Sequence, residues 1–113
     1  MTATGVYVYG VAAGDAPVPE GAGALDVRFP LRTVREDGLA AIVSDVPLDE
    51  FGENAIGARL ADREWVEAKV RAHESVLERA LEAGVVPFRF GTVFRGEEPV
   101  RELLRERLDP LRE

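Results

Sequence analysis

The chain is predicted to be α+β, a ferredoxin-like variant: a four-stranded antiparallel sheet with one long helix packed on one face and a C-terminal helix. Three observations predict it. Two strand-like runs, "LRTVRED" and "GLAAIVSDV", meet at Asp37-Gly38, a strong hairpin signal because glycine supplies the positive φ of a type I′ turn. From Asp62 to Gly84 the apolar residues recur at helical spacing. Between the first strand and the hairpin, where a ferredoxin-like chain has its first helix, stands "AGDAPVPEGAGA". Pro17 and Pro19 forbid a regular helix there, so a Gly/Pro loop replaces it.

The elements follow in order. "TGVYVYGVA" is rich in Val and Tyr and reads as the first strand. The strand after the loop alternates polar and apolar residues, as a half-exposed strand does, while the next is nearly all apolar, as a central strand is. "PLDEFGENAIGARLAD" reads as an irregular crossing with one short helix. The long helix starts at Asp62, a good N-cap, with Glu64 in the positive first turn. Its stripe is Val66, Val70, His73, Leu77 and Leu81, with Trp65, Val76 and Ala80 beside it, and Gly84 ends it. "VVPFRFGTVFRG", Val85 to Gly96, reads as the fourth strand. The last helix has Pro99 in its first turn, a stripe of Val100, Leu103, Leu104 and Leu108, and Pro110 just past its end. Strand 1 is then central, beside both strand 3 and strand 4.

At 113 residues the chain fits a single domain, 1–113, large enough for one real core. Its 46% apolar and 31% charged residues are those of a soluble globular protein. A net charge of −7 argues against nucleic acid and anionic membrane as primary partners, since both need a basic patch. The absence of cysteine excludes disulfides, thiolate catalysis and zinc–cysteine sites. The N-terminus has neither the basic region nor the apolar segment of a signal peptide, and no run reaches the ~20 apolar residues of a membrane helix.

No residue set assembles into a catalyst, and no cofactor or metal is implied. "GVAAG" follows a strand, but a phosphate loop needs a helix N-terminus directly after it, where Asp15, Pro17 and Pro19 stand instead. His73, the one histidine, has the chemistry of a general base or haem ligand but lacks an orienting carboxylate in sequence, and reads as a core imidazole hydrogen-bonded within the fold. Glu74, Glu78 and Glu82 share a helical face, which reads as solvated, because hard cations need oxygens from several directions. Ser44, Asp45 and Thr92 offer no nucleophile turn for a hydrolase.

Arg89 is the charge that stands out, set between Phe88 and Phe90. Strand alternation places Phe88, Phe90, Thr92 and Phe94 on the face that meets the long helix, and Pro87, Arg89, Gly91 and Val93 on the other. Strands 1 and 3 are apolar on both faces, so that second face also needs cover: the last helix, a further domain or another protein. Tyr and Arg are favoured at contacts between proteins, and Tyr7, Tyr9 and Arg89 are the expected partner-facing residues, with an internal ion pair or carbonyl clamp as the competing role for Arg89. A small-ligand regulatory domain, with a pocket near Arg89, is the alternative by analogy of fold.

Four motifs are shared with a known family: "YVYGV", "GLAAIVSDVPLDEFG" ending its strand at Pro47, the Arg-Ala-His-Glu helix at Arg71 to Glu74, and the Pro-Phe-Arg-Phe-Gly-Thr strand at Pro87 to Thr92. Together they resemble the N-terminal part of the gas vesicle synthesis proteins of the GvpL/GvpF family, over nearly the whole chain. The resemblance implies a non-catalytic accessory or minor structural protein of gas vesicles, cytoplasmic and vesicle-associated. It implies assembly through protein–protein contacts, with the vesicle shell protein and other accessory proteins as partners. Family chains run to roughly twice this length, a two-domain size. The resemblance therefore implies an N-terminal ferredoxin-like domain whose own C-terminal domain is a further partner.

Overall fold

A computed structural model describes residues 3–19, 23–52, 55–81 and 84–112, with the backbone alone for 107–112. The chain runs β1 (Thr4–Ala13), β2 (Arg32–Glu36), β3 (Leu39–Pro47), α1 (Leu48–Phe51), α2 (Ile56–Leu60), α3 (Arg63–Ala80), β4 (Val86–Pro87), β5 (Val93–Phe94) and α4 (Glu97–Arg112). The sheet is antiparallel in the order β2-β3-β1-β4, with β5 also paired to β1. Strand 1 is central, as the residues predict, and the arrangement is consistent with a ferredoxin-like α+β fold. No helix forms in the described parts of the loop between β1 and β2.

The β2–β3 hairpin closes with positive φ at both Asp37 (49°) and Gly38 (82°), the type I′ signature. Asp62 caps α3, its carboxylate accepting from the Trp65 N–H. Past the helix, Gly84 takes φ 74° and its N–H bonds the Leu81 carbonyl. The crossing between β3 and α3 holds two short helices rather than one.

Both sheet faces are covered. On one, Tyr7, Tyr9, Ile42, Val46 and Phe51 pack under α3 through Val76 and Ala80, with Leu25 of the long loop. On the other, Val6, Val8, Val11, Val34, Ala41 and Val43 pack against Val100 and Leu104 of α4. The second face therefore needs no outside cover: the last helix supplies it. Burying each of these aliphatic side chains is worth roughly 1.5–3 kcal/mol.

A bulge in β1 explains the grouping. Val8 pairs with Val43 and Gly10 with Ile42, so Tyr9 is an extra residue. Beyond it the parity flips, and Val11 joins Val6 and Val8 instead of the tyrosines. Gly10 is required there, since a Cβ would lie 2.6 Å from Val85 and 2.7 Å from the Val86 carbonyl.

Several expectations change. The fourth strand is not continuous: β4 and β5 are two-residue pieces flanking an excursion. The α3 stripe is rotated toward His73, Val76 and Ala80, leaving Leu81 65% exposed and Val66 and Val70 only half-buried, because the helix packs closest where Tyr7 and Tyr9 rise from the sheet. The last helix continues past Pro110 to Arg112, since a proline near the end forfeits only the bond to the carbonyl four residues back. The Leu108 side chain and Glu82 lie outside what is described, as do residues 20–22 of the loop. Glu74 and Glu78 are exposed.

Candidate docking surface

Tyr7 links three motifs that lie far apart in sequence. Its hydroxyl accepts from the Gly91 N–H at 3.0 Å and donates to His73 Nδ1 at 2.8 Å. His73 Nε2 lies 3.1 Å from the Phe88 carbonyl, which can only accept, so Nε2 carries the ring proton and Nδ1 the lone pair. The opening strand, the Arg-Ala-His-Glu helix and the Pro-Phe-Arg-Phe-Gly-Thr segment are joined in one chain of hydrogen bonds. Burial lowers the His73 pKa below the ordinary imidazole value, against the Phe88 bond, which acts the other way. Burial also pushes the Tyr7 phenol far above its ordinary range.

Tyr9 does the same for the loop. Its hydroxyl shares a hydrogen bond with Ser44 Oγ (2.6 Å) and accepts from the Leu25 N–H (3.0 Å), while its ring stacks on His73 at 5.8 Å. Lys69 Nζ holds the Leu25 carbonyl at 2.8 Å. No buried side-chain nitrogen or oxygen lacks a partner among the described residues.

Tyr7 and Tyr9 are therefore not partner-facing. Both are 0% exposed, beneath α3, because their aromatic bodies fill the core and their hydroxyls meet internal partners. His73, at 5% exposure, has both ring nitrogens engaged and no lone pair left for a general base or a haem iron. Ser44 is engaged by Tyr9 and is no free nucleophile.

Arg89 lies where alternation does not reach. Gly10 pairs with Pro87 and Tyr7 with Val93, so Phe88–Thr92 stand opposite only Val8 and Tyr9. The five residues swing out as a turn. Phe88 N–H bonds the Tyr9 carbonyl, Val8 N–H bonds the Thr92 carbonyl, and Thr92 Oγ1 donates to the Arg89 carbonyl at 2.7 Å. Gly91 takes φ 91°, as the third residue of a type II turn does. The excursion splits the aromatics: Phe88 and Phe94 pack with the α4-side core, Phe90 and Val93 with the α3-side core. The expected single aromatic face does not exist. Arg89 is exposed, and among the described residues its guanidinium joins no ion pair or carbonyl clamp.

Beside Arg89 runs an open groove of 360 Å³, lined by Pro87, Phe88, Thr92, Phe94 and Leu103 of α4. On the other side of Phe94, Arg95 borders a cleft of 670 Å³ with Leu48, Asp49, Phe51 and Val93. Sequence reasoning missed Leu103 and Arg95 here, and missed the turn itself. Gly91 within an apolar run was the available signal, since such a glycine marks a bulge or turn.

Known proteins resemble this chain closely. It is 35% identical over 102 residues to gas vesicle protein L of Streptomyces sp. (strain CB03234), covering 88% of the chain and 38% of that protein. It is 36% identical over 104 residues to gas vesicle protein F of the same strain, covering 89% and 38%. The chain thus spans about two fifths of the length of these curated relatives. The crystal structure of the gas vesicle protein GvpF from Anabaena sp. PCC7120 superposes with a TM-score of 0.65 at 27% identity, over 96% of this chain and 41% of that one. The model of one family, described as gas vesicle synthesis protein GvpL/GvpF, matches residues 5–113, and the chain belongs to that family.

Proposed function

We propose that this domain is a non-catalytic protein-contact module of gas vesicle assembly. The family match over residues 5–113 carries the reading. Two features of the fold support it. The side chains that could do acid–base or nucleophilic chemistry, His73, Tyr7, Tyr9 and Ser44, are bound to one another or to the backbone. What reaches solvent beside them is a fixed turn with a cation at the lip of an apolar groove. Its partners are the vesicle shell protein and other accessory proteins of the vesicle, and its place is at the vesicle. Among the described residues no helix is long and apolar enough to cross a membrane. The open form of the groove favours a protein segment over a metabolite, since small-ligand sites bury most of their ligand.

The test is co-expression. The full-length protein, affinity-tagged, is expected to co-purify with the shell protein or at least one sibling accessory protein. Recovery of the tagged protein alone, across all of them, would overturn the reading.

A further inference from the structure

The geometry points to the groove beside Arg89 as the docking site for an acidic, apolar segment of another protein. This inference rests on the protein-contact reading above and names the surface and the chemistry of its partner.

Charge is the first argument. The chain has 21 acidic residues and a net charge of −7, yet Gly84 to Gly96 contains none. That segment has two cations, Arg89 and Arg95, both exposed and neither in an ion pair among the described residues. Among the described side chains, the arginines nearby on the sheet and the first half of α4 are spent: Arg32 holds Asp45 and Glu97, Arg101 holds Glu36 and Glu97, and Arg105 holds Glu36 and Glu98. Among the described residues Asp49 is the acid that lines the cleft with Arg95, which leaves Arg89 as the stronger anchor. A partner seated here gains a planar guanidinium that can take a carboxylate bidentately.

Shape is the second. Phe88, Phe94 and Leu103 are half-buried and present apolar edges along the groove floor, where an aliphatic or aromatic side chain can be desolvated. Rigidity is the third. The turn is held from below by the Gly91 bond to Tyr7 and the Phe88 bond to His73, and across by Thr92 on the Arg89 carbonyl. A preformed turn has little conformational entropy left to lose on binding. A second copy of the chain is disfavoured as the occupant, because two bodies of charge −7 repel.

The probe is a fluorescein-labelled synthetic peptide of alternating Glu and Leu, titrated against the full-length protein by anisotropy, with an alternating Lys and Leu peptide as control. The acidic peptide is expected to bind and the basic one not. Arg89→Glu should weaken binding about tenfold and Arg95→Glu by less, at an unchanged denaturation midpoint, with affinity falling as salt rises. Equal binding of the two peptides, or an Arg89→Glu effect within about twofold, sinks the proposal. So does a dimer in light scattering that Arg89→Glu converts to monomer, because the occupant is then a second copy. If Arg89→Glu leaves capture of vesicle proteins unchanged, the groove is wrong and the contact-module reading stands. If the wild type captures none, that broader reading has failed, whatever the peptide does.

Discussion

Tyr7 anchors a network whose value lies in what its loss would leave behind. Tyr7→Phe keeps the ring packing but orphans the Gly91 N–H and the His73 Nδ1 lone pair. His73 is the buried one of the two, and an unsatisfied buried group costs roughly 1–3 kcal/mol, so urea denaturation should show a loss of about 2 kcal/mol. His73 adds a pH dependence with a definite sign. Its folded pKa is lowered by burial, so between that value and the ordinary ~6.5 the unfolded chain binds more protons than the folded one. Stability is full above about pH 6.5 and falls as pH drops through the folded value. Denaturation midpoints should decline from pH 7.5 to pH 5, and His73→Ala should flatten that decline. A flat wild-type profile would mean that the imidazole is not held neutral.

The turn at Phe88–Thr92 has its consequences at the scale of the element. A strand of unbroken alternation would put Phe88 and Phe90 together, but three extra residues on this edge let the chain send Phe88 to one core and Phe90 to the other. Phe90 is half-buried, near Tyr7 (6.3 Å) and His73 (6.0 Å). Phe90→Ala should therefore cost about 2 kcal/mol, below the roughly 3–5 kcal/mol of a fully buried aromatic. Gly91→Ala forces a Cβ onto φ 91° and should cost about 1–2 kcal/mol. It should also move the Arg89 backbone amide in a two-dimensional NMR spectrum, while distant β2 amides hold their positions.

For the molecule as a whole, α4 decides whether the sheet has an open face. Val100 and Leu104 are 0% exposed against the valines of β1 and β3, and the ion pairs Arg32–Glu97, Arg101–Glu36 and Arg105–Glu36 clasp the helix to the hairpin. Exposed pairs of this kind contribute little, since solvent and salt screen them, so burial does most of the holding. Leu104→Ala should lose about 3 kcal/mol, and amide exchange should rise first in α4. One molar NaCl should cost less than that single methyl-rich side chain does.

Local chemistry was legible from the sequence. Asp37-Gly38 makes a type I′ turn in any context that pairs its flanks, Asp62 caps a helix through its own next turn, and Pro17 and Pro19 deny a helix to the loop. Strand order followed from the element pattern, and family membership from four short motifs. The facing of Arg89 was not legible. Alternation assumes one residue per partner residue, and both the Tyr9 bulge and the Phe88–Thr92 excursion break that count through pairing with a distant strand. Tyr7 and Tyr9 misled for a related reason: a tyrosine is amphipathic, and whether its hydroxyl meets water or an internal partner depends on what lies 66 positions away at His73 or 35 away at Ser44. By itself the sequence determined the elements, their turns and caps, and the acidic balance of the surface, because each is set by neighbours within a few residues. Only the tertiary structure decided which residues the two cores claim and that Arg89, without an ion pair among the described residues, stands at the lip of a groove, because those outcomes depend on contacts between segments that the chain brings together from its two ends.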